Sequence, residues 1–94
     1  MFMSLFDGFK VLGFDTETTG LNPRKDRIVQ YAFIGRDVDG SSVSRTELID
    51  PGIKIPEASM RVHGISNEDV IGHGSFGTHA GDIAELIDGA IIIG

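Results

Sequence analysis

An apolar run, Val11-Leu12-Gly13-Phe14, ends in two acidic residues one apart, Asp15 and Glu17, followed by Thr18-Thr19-Gly20. Alternate side chains of a β-strand share a face, so in a strand both carboxylates point the same way, at the end of a buried element. Hard divalent cations such as Mg²⁺ take oxygen ligands, a few from protein and the rest from water and substrate phosphate. The pair is therefore a candidate metal platform, with Asp15 and Glu17 as candidate catalytic residues and metal ligands. The same two side chains could instead end a strand and solvate its exit, and a bare Asp-x-Glu does not separate these readings.

Around that run the chain reads as alternating strands and helices. Lys10 to Thr16 is a strand apolar on both faces, expected in the middle of a sheet covered on both sides. Leu21 to Asp26, containing Asn22-Pro23, is a loop. Arg27 to Arg36 is a second interior strand, with Ile28, Gln30, Ala32 and Ile34 on one face and Val29, Tyr31 and Phe33 on the other. Asp39-Gly40 supplies the φ > 0 positions of a tight hairpin turn, and the more polar strand Ser42 to Ile49 is the sheet edge.

Pro56 fits the first position of a short helix running to about Val62 and closed by Gly64. Ser66 to Asp69 has capping-box spacing over a second short turn, and Gly72 to Gly77 is a loop. From Thr78 the period becomes helical, with Phe76, Ala80, Ile83, Ala84 and Ile87 as the apolar stripe and Asp82, Glu85 and Asp88 as a solvated face. Ala90 to Ile93 is a β-branched strand. A right-handed crossover lays it parallel to the first strand, giving an α/β fold with a mixed sheet of order 3-2-1-4. The acidic pair then stands at the carboxyl end of a central strand, where open α/β sheets bind ligands.

At 94 residues the chain suits one small domain spanning 1–94, with residues 1–9 expected to fray. With 14 acidic against 8 basic side chains the net charge is −6, the wrong sign for holding nucleic acid by phosphate contacts alone. Bound metal ions can invert the local charge and bridge carboxylate to phosphate. The absence of cysteine excludes disulfides, thiolate nucleophiles and zinc-thiolate sites. No apolar run reaches the roughly 20 residues that span a bilayer, and the first residues lack a signal peptide's charge and cleavage site. The expectation is a soluble, cytoplasmic protein with no membrane partner.

The full string Phe14-Asp15-Thr16-Glu17-Thr18-Thr19-Gly20 resembles the first motif of the DnaQ-like (DEDD) 3′ to 5′ exonucleases, whose prototype is the proofreading epsilon subunit of the bacterial replicative polymerase, DNA polymerase III. Val62-His63-Gly64-Ile65, followed by Ser66 and Glu68, resembles the His-Gly-Ile segment of the same family. The similarity covers about Val11 to Gly94. It implies a ribonuclease H-like fold, two divalent metals (Mg²⁺ or Mn²⁺) and removal of nucleotides from a 3′ end of single-stranded DNA or RNA. It also implies that Asp15 and Glu17 are metal ligands, that Thr16, Thr18 and Leu21 lie against the terminal nucleotide, and that His63 lines the pocket for the last base. A DNA polymerase is the protein partner it suggests.

The family's third carboxylate belongs to a His-Asn-x-x-Phe-Asp motif after the fourth strand, and a fourth carboxylate and a general-base His lie further on. The sequence ends at Gly94, where that motif is expected to begin, and His73 and His79 match no family position for the base. The reading is thus the N-terminal part of a nuclease domain, inactive alone and prone to self-association. The alternative is a non-catalytic half domain or interaction module that retains the nucleic-acid-end pocket.

Overall fold

The computed structural model describes residues 8–94, and the expected fraying of residues 1–7 lies outside the described residues. Four strands form one sheet: β1 (Lys10–Thr18), β2 (Ile28–Arg36), β3 (Ser42–Leu48) and β4 (Ala90–Ile93), in the order β3-β2-β1-β4. β1 and β2 are antiparallel, as are β2 and β3, while β4 runs parallel to β1 with Val11 beside Ile91 and Gly13 beside Ile93. This is the expected mixed sheet, with β1 interior. Two helices, α1 (Glu57–His63) and α2 (Phe76–Ile87), lie in the crossover between β3 and β4.

Pairing sorts the side chains of β1. Leu12, Phe14 and Thr16 stand opposite Gly35, Phe33 and Tyr31, whereas Gly13, Asp15 and Glu17 stand opposite Ile34, Ala32 and Gln30. Most of the first set is packed: Leu12, Tyr31, Phe33 and Ile49 form a buried cluster, against which Ile83 and Leu86 of α2 lie, while Phe14, 40% exposed, lies with its ring 4.9 Å from that of Phe33. A second buried cluster, Val29, Ile55, Ile65 and Val70, is covered by Met60 of α1. The other face of the sheet is open. Ile34 is 63% exposed and Ile93 52%, so the expectation that β1 is covered on both sides is corrected: α2 and the α1 segment together cover one.

Four further expectations change for physical reasons. The register of β1 on β2 shifts between Glu17 and Thr18, where Thr18 pairs with Ile28 and Glu17 with Gln30. This leaves Val29 as an extra residue, so Ile28 joins Val29 on the core side and packs on the Tyr31 cluster. The hairpin between β2 and β3 closes through Asp37 N–H to the Ser41 carbonyl (2.9 Å) and Gly40 N–H to the Asp37 carbonyl (2.9 Å). Only Gly40 there has a positive φ (83°), the pattern of a three-residue loop rather than a two-residue turn with both residues left-handed.

The third change concerns α2, which begins at Phe76 after an extended Ser75, two residues before the expected start. Its inward face is His79, Ile83 and Leu86, one position off the expected stripe, and Phe76, Ala80, Ala84 and Ile87 are exposed. Rotation follows tertiary contacts: His79 meets Tyr31 edge-on at 5.7 Å, its Nδ1 3.3 Å from the Tyr31 hydroxyl and its Nε2 2.6 Å from the His73 carbonyl. Asp82 is exposed, as expected of the solvated face, and ion-pairs with Arg45 at 3.3 Å. In α1, Pro56 is the extended N-cap rather than the first helical residue, and left-handed Gly64 closes the helix with an N–H bond to the Met60 carbonyl.

Candidate active site

The acidic pair sits on the open face. Asp15 is exposed and Glu17 half-buried, on the same side of β1 by their partners Ala32 and Gln30. Asp15 Oδ1 accepts a bond from Thr16 N–H at 2.9 Å, which orients that carboxylate. Thr16 itself stands opposite Tyr31, so its side chain belongs to the packed face and only its backbone borders the carboxylates. A cleft of about 440 Å³ lined by Ile28, Ile49, Pro51 and Phe76 includes none of the six candidate residues. Asp15 lies outside that cleft and is exposed on the open face of the sheet.

Past β1 the chain makes a loop from Thr19 to Arg27, built around one carboxylate. Asp26 Oδ1 accepts from the Thr19 hydroxyl at 3.0 Å and Oδ2 from Asn22 N–H at 2.8 Å. Thr19, 2% exposed, also accepts from Arg27 N–H at 2.9 Å and donates its own N–H to the Arg27 carbonyl at 2.8 Å. Gly20 makes the approach possible, since a Cβ there would stand 2.5 Å from Asp26 Oδ2. Thr18 adds a hydroxyl bond to the Gly20 carbonyl at 2.7 Å. At the tip of this strapped loop Leu21 is 99% exposed.

Helix α1 is tied to the same end of β1. Ser59 Oγ donates to the Thr19 carbonyl at 2.6 Å. His63 Nδ1 accepts from Ile65 N–H at 3.0 Å, which leaves the ring proton on Nε2, and Nε2–H donates to the Thr18 carbonyl at 3.2 Å. Thus the structure brings Asp15 and Glu17 together on one face, joins His63 to Thr18, and sets Leu21 on the adjoining loop. Both nitrogens of His63 are taken by backbone, so its ring offers a surface and not a free proton.

Sequence reasoning did not single out Thr19, Asp26 or Ser59. Thr19 looked like a turn residue and Asp26 like part of a charged run. The signal that could have found them is an acidic residue that closes a short loop opening on Thr-Gly, since Asx side chains cap turn N–H groups.

The donor set can be tested against a divalent metal. Two carboxylate groups, Asp15 exposed and Glu17 half-buried, suit Mg²⁺ or Mn²⁺ as a partial all-oxygen ligand set, and among the described residues no group of three or more His, Cys, Asp or Glu side chains gathers.

Comparison with known proteins bears on the family and the fold. The exonuclease family model, RNase T, matches residues 12–94. DNA polymerase III subunit epsilon of Treponema pallidum (strain Nichols) is 29% identical over 80 residues, covering 85% of this chain and 37% of that protein. A DNA polymerase III subunit epsilon-like protein of Rhodobacter capsulatus is 51% identical over 57 residues, 56% of this chain and 8% of that one. Among solved structures, E. coli Exonuclease I in complex with a 5cy-dT13 oligonucleotide superposes with a TM-score of 0.77 at 22% identity, covering 94% of this chain and 21% of that one. Exonuclease X in complex with 5′ overhanging duplex DNA gives 0.64 at 26% identity, covering 78% and 42%. The chain thus spans well under half the length of these relatives. The strand order is that of their ribonuclease H-like fold, and with its family model running from Leu12 to Gly94 the chain belongs to the RNase T (DnaQ-like) exonuclease family.

Proposed function

We propose that this chain carries the metal-binding strand and the end-recognition loop of a 3′ to 5′ exonuclease domain acting on single-stranded DNA or RNA. The observation that carries the reading is the acidic pair on the open face of β1, directly followed by a loop that hydrogen bonds hold rigid around Asp26. In the hydrolysis, a water oxygen bonds to the terminal phosphorus as the bond to the preceding nucleotide's 3′ oxygen breaks, and that oxygen takes up a proton. The products are a nucleoside 5′-monophosphate and a shortened strand. Bound Mg²⁺ or Mn²⁺ supplies charge neutralisation and a more acidic water.

This chain's own part is to bind and to orient. Asp15 and Glu17 hold the metal. Leu21 lies on the terminal base, Thr16 and Thr18 border the nucleotide through their backbone, and His63 packs beside it while holding the Thr18 carbonyl. Alone, the chain has two of the carboxylates this chemistry uses and is expected not to turn over. A non-catalytic module that grips an end is the second reading, favoured by the absence of a third metal-ligating side chain near the pair among the described residues.

The test is titration with thymidine 5′-monophosphate, the product class, in Mg²⁺, followed by amide chemical shifts. Perturbation centred on Asp15 to Leu21 and His63 is expected. Shifts confined to α2 or the hairpin overturn the reading. Metal-dependent shortening of a labelled single strand, lost in Asp15→Ala, overturns the inactivity of the chain alone.

A further inference from the structure

We infer that Arg24, Lys25 and Arg27 form a phosphate-binding ridge for the backbone of a single strand whose 3′ end meets Asp15 and Glu17, an inference that rests on the proposed nuclease reading. The chain has 8 basic residues and a net charge of −6, yet three of those bases fall within four positions of the loop that leaves the acid-bearing end of β1. All three are exposed, Arg27 also bordering, with Asp50, the cleft of Ile28, Ile49, Pro51 and Phe76. Among the described residues the ion pairs engage Arg45 with Glu47 and Asp82, and Arg61 with Glu57, and none engages the loop cations.

The one acid among them is unavailable as a partner. Asp26 is turned inward, each carboxylate oxygen accepting a bond from Thr19 or Asn22. The run Arg24 to Arg27 thus keeps a net charge of +2, three cations and one carboxylate, with the carboxylate bonded inward and the three cations exposed. It is also held: Arg24 N–H donates to Asn22 Oδ1 at 2.9 Å, and Arg27 is strapped to Thr19 through N–H and carbonyl. A rigid cationic ridge beside an anionic metal platform suits a ligand with a string of phosphates, one at the platform and the others along the ridge. In a chain otherwise strongly acidic, no other run of four residues holds three cations.

Binding of a short 5′-labelled oligothymidylate, followed by anisotropy at fixed Ca²⁺ over a range of KCl, tests this. Replacing Arg24→Gln and Lys25→Gln together is expected to flatten the slope of log affinity on log salt by about 1.4, about 0.7 per cation lost. Arg27→Gln should remove about 0.7 more. The charge-matched pair Lys10→Gln with Arg36→Gln, at the opposite end of the β1-β2 pair, should leave the slope unchanged. Equal flattening by both pairs would mean that only net charge matters; it overturns the ridge and leaves the nuclease reading standing. No binding by the unsubstituted chain overturns the ridge too, and takes the nuclease reading with it only if thymidine 5′-monophosphate also leaves Asp15 and Glu17 unperturbed.

Discussion

The two faces of β1 are made by one nine-residue strand and have opposite fates. On one, Leu12 is fully buried against Tyr31, Phe33 and Ile49 beneath Ile83 and Leu86. On the other, Val11, Gly13, Asp15 and Glu17 share an uncovered surface with Ile34, Ile91 and Ile93. The packed face anchors the strand, while the open face leaves Asp15 exposed. The isoleucines beside the carboxylates are more apolar than a free surface needs, which points to further covering by protein.

Truncating each face sharpens the comparison most. Leu12→Ala should cost about 2–5 kcal/mol, since it leaves a cavity in the packed cluster, and Ile34→Ala should stay within about 0.5 kcal/mol. Urea unfolding followed by circular dichroism measures both, and equal losses would break the distinction. Ile34→Ser with Ile93→Ser should instead act on association. Sedimentation equilibrium is expected to show concentration-dependent self-association of the unsubstituted chain that this pair of changes abolishes.

The loop after β1 comes next. Asp26→Ala removes acceptors from Thr19 and Asn22, and the buried hydroxyl then lacks its acceptor, so a loss of about 1–3 kcal/mol is expected. Amide exchange should quicken across Thr19 to Arg27 and spare β3. Unchanged protection would show that the loop is held otherwise.

The smallest effect lies on the packed face. Burial, the leading cause, raises the Tyr31 phenol above its ordinary 10.0, with Glu47 and Asp82 adding and Arg45 opposing. The folded state therefore holds this proton more tightly than the unfolded chain. The resulting stability is complete below pH 10 and is lost as pH rises through the folded value. Tyr31→Phe should abolish that alkaline loss and cost about 0.5–1.5 kcal/mol at neutral pH. A pH profile unaffected by the substitution would contradict it.

Much of this was legible in the residues. The alternation around Asp15 and Glu17, the polar third strand and the apolar Ala90 to Ile93 led to the sheet order that is found, and the motifs led to the family. What was not legible depends on partners distant in sequence. A register shift between Glu17 and Thr18 cannot be seen from the period of β2 alone, so Ile28 was assigned to the wrong face. The rotation of α2 is set by Tyr31, 48 residues before His79, and an apolar stripe within a helix does not reveal which of two adjacent rows meets the sheet. Asp26 was hidden because an inward carboxylate among three cations reads as a solvated charge run.

The central claim is that Asp15 and Glu17 form the metal platform on the open face, and Mn²⁺ titration with amide line broadening tests it most directly. Mn²⁺ is chosen because it is paramagnetic and should bind better than Mg²⁺, which keeps its hydration shell. The account predicts weak binding, with broadening centred on Asp15 and Glu17 that Asp15→Asn removes without unfolding the sheet. Broadening centred on Asp82, Glu85 and Asp88, with Asp15 and Glu17 untouched, would contradict it.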